Sequence, residues 1–271
     1  MTLYLHIGAQ KTGSTTIQEA LYNNREVLQA AGLEYPEVEP DDTNKVSHYN
    51  SFRGFFTRQK DQIASTERFL ERINQIDGDV LLSSEVLSNW PLINDKEEAA
   101  EYWLRKQLVL ERLRERLAQK DVKIIYCVRS RASYLKSLFK QHLKVQTRPS
   151  LSLEIELRGF LKREIVRSDA KRQVKVWEKV FGDVRVIDFD KHARAGNLLE
   201  AFTQTLDHDI TLPDAPVRNV SPDWTDLEAR RVQLSFGYPQ LGEADPALRE
   251  KFNEATEEMV RRTIARAIDN N

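Results

Sequence analysis

Apolar residues in this chain fall into four short continuous runs, separated by longer stretches where they recur every three or four positions. The runs cover residues 2–7, 80–84, 122–128 and 184–189. Each is rich in Leu, Ile and Val and too short for a buried helix, so each predicts a strand covered on both faces. Residues 15–31 carry Ile17, Ala20, Leu21, Val27 and Leu28 at helical spacing, and Gly32 suits the position just past a helix end. Further helices are predicted over 65–76, 96–119, 132–145 and 151–180, the last broken near Arg167-Ser168. The chain beyond residue 190 reads as helical, with interruptions near 212–222 and 237–245. Strands alternating with helices predict an α/β fold: a three-layer sandwich with a central parallel sheet flanked by helices. With no repeat or linker, one domain over 1–271 is expected, its helical C-terminal region spanning about 190–271. Residues 34–62, with Pro36, Pro40 and Asp41-Asp42, read as a surface loop.

Composition narrows the function classes. Lys and Arg number 41 against 42 for Asp and Glu, a net charge of -1. A sequence-independent nucleic-acid binder needs a surplus of positive charge, so no nucleic-acid partner is expected. The single cysteine, Cys127, excludes an internal disulfide, and its place in an apolar run predicts a buried small hydrophobe. No signal-peptide pattern opens the chain and no run reaches the ~20 apolar residues of a membrane span. A cytoplasmic chain without a transmembrane segment is the expectation. The five histidines have no metal-ligand spacing, so no metal is expected. Oligomeric state is not legible.

The chemistry begins at the end of the first run. His6-Ile7-Gly8-Ala9-Gln10-Lys11-Thr12-Gly13-Ser14-Thr15 joins a predicted strand to a predicted helix. There the helix start offers unpaired N–H groups and partial positive charge. Gly8 and Gly13 let the backbone curl around an anion; Ser14 and Thr15 add hydroxyls and Lys11 a full charge. The glycine spacing is that of the nucleoside-triphosphate loop, but Ser14 stands where that loop has lysine, and the lysine lies inside at position 11. The competing reading is a solvated loop with Ser14 as helix N-cap.

The run Lys11-Thr12-Gly13-Ser14-Thr15 resembles the 5′-phosphosulfate loop of sulfotransferases that use 3′-phosphoadenosine 5′-phosphosulfate. The resemblance implies a P-loop-like fold, a 5′-phosphate held by residues 11–15, and Lys11 on the oxygen bridging phosphate and sulfate. Arg129 ends the third strand and Ser137 follows eight residues later. The same family places an arginine and a serine so, both on the 3′-phosphate, which implies that role for Arg129 and Ser137. Ser130-Arg131 departs from the family's usual acidic or Asn residue followed by proline. Arg218-Asn219-Val220-Ser221 resembles a loop that closes over the nucleotide in bacterial relatives; a plain turn is the alternative. The likeness extends loosely through 174–189, where Trp177-Glu178-Lys179-Val180-Phe181-Gly182 precedes a strand.

Glu85 follows the second predicted strand. Sulfuryl transfer needs alignment, charge neutralisation and removal of the acceptor proton, and a shielded carboxylate can take that proton. Carbohydrate sulfotransferases resemble this chain in placing a Glu there. Glu85 is the expected base, against a structural role as a helix N-terminal carboxylate; His48 is the substitute. His6 is expected to face the core or the loop edge, and His142 a solvent face. Loops 34–62 and 146–168, with Tyr49, Phe52, Arg53, Phe55, Arg58, Lys144, Arg148 and Lys162, are candidates for an acceptor cleft. The expected activity is in-line transfer of a sulfuryl group to a hydroxyl or amine of an acceptor; polysaccharide, glycolipid and small metabolite all fit the loop content, with carbohydrate favoured. The rivals are a P-loop small-molecule kinase and a nucleotide-binding protein without catalysis.

Overall fold

The computed structural model describes residues 1–39, 42–92, 97–147, 152–213, 222–236 and 246–271. The chain forms two compact units: Met1–Leu92 with Lys96–Arg129 and Ala170–Arg218, and Ile93–Asp95 with Ser130–Asp169 and Asn219–Asn271.

The first unit is built on five strands, β1 (Thr2–His6), β2 (Leu33–Glu34), β3 (Asp79–Ser83), β4 (Asp121–Val128) and β5 (Asp183–Asp188). They form one sheet in the order β2-β3-β1-β4-β5, and every pairing is parallel. Parallel neighbours need long crossovers, and helices supply them. After β1 come α1 (Ser14–Asn23) and α2 (Arg25–Ala30), then a 3₁₀ helix η1 (Asn50–Phe56) and α3 (Lys60–Gln75) before β3. The short α4 (Val86–Asn89) and the long α5 (Ala99–Arg116) lead to β4.

Alternation along the strands divides two cores. Tyr4, Leu81, Ile125, Cys127 and Ile187 pack with Ile17, Ala20 and Leu21 of α1, Leu28 of α2, and Leu199 and Phe202 beyond β5. Leu3, Leu5, Val80, Leu82, Val122, Ile124 and Tyr126 point to the opposite face and are buried there. Truncating one such Leu or Ile to Ala costs about 2–5 kcal/mol. Burial pushes the Cys127 thiol up to about 12, so this cysteine is inert packing, as expected from its run.

Three boundaries differ from the sequence reading. The helix expected over 15–31 breaks at Asn24, whose Nδ2 donates to the Ala20 carbonyl at 2.8 Å and closes α1. The loop expected over 34–62 holds η1 and the start of α3, and β2 contributes only the pairs Leu33↔Asp79 and Glu34↔Val80. The strand expected over 184–189 ends at Asp188, whose side chain accepts the Lys191 N–H at 3.0 Å and so caps the helix Phe189–Ala195. The remaining first-unit helices, numbered in chain order, are α8 (Ala170–Phe181), α9 (Phe189–Ala195) and α10 (Leu198–Thr203).

The second unit comprises α6 (Arg131–Val145), α7 (Leu153–Glu164), α11 (Trp224–Phe236) and α12 (Pro246–Asp269). Phe139 meets Phe160 and Trp224 at ring distances of 5.2 and 6.2 Å. His142 is half-buried and pairs with the buried Glu156 at 2.7 Å, which corrects its expected solvent-facing position. Among the described residues no helix is long and apolar enough to cross a membrane.

Candidate active site

In the sheet order β1 and β4 are neighbours, but the chain leaves β1 towards β2 and leaves β4 towards β5. Loops diverging at such a switch point open a crevice at the carboxyl ends of the strands. The 7–13 loop ends β1, Glu85 follows β3, and Arg129 follows β4. Parallel register puts His6 beside Ser83 and Ile125, so all three emerge along one edge.

The loop is shaped by its own sequence. Ile7 and Ala9 donate to the Ile125 and Cys127 carbonyls at 2.9 and 3.2 Å, which carries β1 pairing three residues beyond the strand. The chain then turns through Lys11 at φ 65° and Gly13 at φ 75°, both left-handed. At Gly8 a Cβ would meet His6 Nε2 at 2.7 Å; at Gly13 it would meet Leu198 Cδ2 at 2.5 Å. Glycine is required at both, by crowding at the first and by crowding with backbone geometry at the second. Gly13 is also the N-cap of α1, and no side chain caps that helix. The first-turn amides of α1 have no intrahelical acceptor and carry the positive end of the helix dipole. Ser14 is therefore the first helical residue, and its hydroxyl does not cap the helix.

That hydroxyl donates to Glu85 Oε2 at 2.5 Å. The Ser84 N–H donates to the His6 carbonyl at 2.8 Å, which brings Glu85 alongside the loop. Burial raises the Glu85 pKa above the ordinary carboxylate value, opposed by the Ser14 hydrogen bond and the Lys11 charge. Arg129 turns back onto the same loop. Its Nη1 donates to the Lys11 carbonyl at 3.0 Å, its Nη2 lies 3.2 Å from Asp190 Oδ1, and the guanidinium stands 5.2 Å over the Phe189 ring. Its buried Nε has no partner. The geometry thus brings together Lys11, Gly13, Ser14, Glu85 and Arg129, with Thr15 half-buried on the first turn of α1.

Other expected residues lie elsewhere. Thr12 is fully buried and its hydroxyl donates to the Ala9 carbonyl, closing the loop from within. His48 must be corrected as a candidate base. It is fully buried, its Nδ1 accepts the Ser83 N–H at 3.1 Å, and its Nε2 donates to the Pro36 carbonyl at 2.9 Å. Both nitrogens are spent on backbone, and burial lowers its pKa to about 4, so it is a neutral structural group. Phe52 is likewise fully buried rather than part of a cleft. Ser137 is half-buried on α6 of the second unit. Arg218, Asn219, Ser221 and Arg148 lie outside the described residues.

His6 faces the core, with its ring 5.2 Å from Phe202 and its Nδ1 2.8 Å from Ser83 Oγ. The sequence reading missed Asp190 and Ser88. Asp190 follows β5, so the rule of strand ends that found Glu85 and Arg129 applies to it too. Ser88 shares its one hydroxyl proton between the Gly8 and Glu85 carbonyls, both 3.0 Å from Oγ, and nothing in the sequence marks it. Among the described residues no group of three or more His, Cys, Asp or Glu could hold a metal ion.

No protein-family model matches the chain, and no curated protein matches it by sequence. Among solved structures, the chain is similar to a sulfotransferase from Alicyclobacillus acidocaldarius, with TM-score 0.46, 18% identity, and 92% of this chain and 99% of that one covered. A mouse sulfotransferase complexed with PAP gives TM-score 0.40 at 15% identity, covering 98% of this chain and 88% of the other. Retinol dehydratase in complex with androsterone and inactive cofactor PAP gives 0.41 at 13%, covering 98% and 80%.

Proposed function

We propose that this chain transfers a sulfuryl group from 3′-phosphoadenosine 5′-phosphosulfate to an acceptor hydroxyl or amine, with a carbohydrate or glycolipid as the favoured acceptor. The observation that carries the reading is the meeting of Glu85 with Ser14 and Lys11 at the uncapped start of α1. A carboxylate beside an anion-binding helix start would repel the donor if it served binding alone. Beside a transferring group it has work to do: it takes the acceptor proton, and its raised pKa suits that task.

The residues present fit the donor. The α1 amides and Lys11 hold the 5′-phosphate end, and Lys11 neutralises charge on the oxygen that departs from sulfur. Arg129 offers a planar fork to the 3′-phosphate, which displaces Asp190 from it. The acceptor oxygen attacks sulfur in line as Glu85 accepts its proton. The kinase alternative lacks the lysine after Gly13 that triphosphate loops carry.

The test is transfer of radiolabelled sulfuryl group to a panel of carbohydrate, glycolipid and small hydroxyl or amine acceptors. Glu85→Gln serves as the control. Transfer by the native chain that is lost in Glu85→Gln supports the proposal. Donor binding without transfer to any acceptor selects the non-catalytic alternative.

A further inference from the structure

Lys106, in the middle of α5, is fully buried. A buried ammonium is retained only where hydrogen bonds replace its hydration. Here Nζ donates to the carbonyls of Leu87 at 2.7 Å, Ser88 at 2.9 Å and Trp90 at 2.6 Å. These carbonyls belong to α4 and its C-cap, the end of a four-residue helix too short to hold itself. Gln173 of α8 adds a donation to the Ser88 carbonyl at 3.1 Å. The other end of α4 is its N-cap, Glu85. Between the ends, Ser88 Oγ bridges the Glu85 and Gly8 carbonyls at 3.0 Å each. Helix α4 is therefore the joint between the candidate base and the anion loop, and Lys106 grips it from beneath.

We infer that Lys106 is a positioning residue: through α4 and Ser88 it sets where the Glu85 carboxylate stands relative to the Gly8–Gly13 loop. The inference rests on the reading of Glu85 as base. Among the described residues, Lys11 on the loop is the charged group that acts on that carboxylate; Lys106 stands at the far end of α4, and Arg53 of η1, an element that packs on α4, is exposed.

Two variants test it: Lys106→Met keeps length and removes the donor, and Ser88→Ala cuts the bridge while leaving the lysine in place. Each is followed by the pH profile of kcat and by hydrogen exchange of the full chain. Released from its clamp, α4 lets water reach Glu85. The plateau of kcat should then fall at least tenfold, and the acid limb should move to lower pH. Exchange should rise at the amides of residues 85–90 and 8–9 in both variants. A plateau that falls only with the folded fraction, on an unmoved acid limb, overturns the inference. If Lys106→Met does not fold, Ser88→Ala decides alone by the same two readouts. If Glu85→Gln keeps its turnover, the base assignment has failed, and exchange decides on the clamp. A local rise at 85–90 and 8–9 keeps it; a uniform rise or none rejects it.

Discussion

Replacing Gly13 by alanine separates two costs that the loop geometry makes calculable. Gly13 sits at φ 75°, where an L-residue loses about 1–2 kcal/mol. Its new methyl would also stand 2.5 Å from Leu198 Cδ2 and 3.0 Å from Phe189 Cε2. Relieving such overpacking costs about 1–3 kcal/mol, so Gly13→Ala should lose about 2–5 kcal/mol in total. Gly32 supplies the control, because its φ is 81° with nothing within 4 Å of an added Cβ. Gly32→Ala should lose only the backbone part, about 1–2 kcal/mol. Urea unfolding of both variants at common slope measures the difference directly. The crowding has a functional side as well: Phe189 lies under the Arg129 guanidinium, so pushing its ring aside should also weaken nucleotide binding in Gly13→Ala alone. Equal stability of the two variants would refute the crowding argument.

Glu85→Gln keeps an acceptor for Ser14 and should lower kcat by about 10²–10⁴, with nucleotide binding retained. Because burial raises the folded-state pKa of Glu85, the folded protein holds a proton that the unfolded chain has released, and stability is lost as pH rises through that window. Unfolding titrations should therefore find Glu85→Gln more stable than the native chain at neutral pH and equal to it below the ordinary carboxylate range. His48 is held down to about 4 and His6 to about 3, so the unfolded chain takes up protons near pH 6.5 that the folded one refuses. Stability should fall as pH drops from about 6.5 towards 4, and His48→Ala should flatten that slope without moving the acid limb of kcat. His48→Ala also orphans the Ser83 N–H and the Pro36 carbonyl, at about 1–3 kcal/mol each, read in the same titrations. Arg129→Ala should weaken adenosine 3′,5′-bisphosphate by about 10–100-fold by calorimetry and adenosine 5′-monophosphate by much less. Equal losses for the two would remove Arg129 from the 3′-phosphate.

Four of the five strands were legible because each is a continuous apolar run, and their parallel direction, though not their order in the sheet, followed from their alternation with helices. β2 was not, because two residues carry no period and its pairing depends entirely on β3. The candidate site was legible at three strand ends and missed at the fourth, where Asp190 follows β5. Lys11, Glu85 and Arg129 each follow a strand, and a parallel sheet delivers such residues to one edge. His48 was not, because a histidine in an irregular segment shows its burial only once Tyr35 and Phe69 close around it, at ring distances of 4.8 and 5.6 Å. Lys106 was hidden for a related reason: between Arg105 and Gln107 on a charged helix it reads as solvated, and only the carbonyls of α4 show why it is buried.

Calorimetric titration of the native chain with adenosine 3′,5′-bisphosphate, set against ATP with Mg²⁺, bears most directly on the donor assignment. Two phosphates held at the α1 start and at Arg129 predict that the bisphosphate binds at least tenfold more tightly and that Mg²⁺ leaves its affinity unchanged. Tighter binding of ATP with Mg²⁺, or no binding of the bisphosphate, would contradict the account.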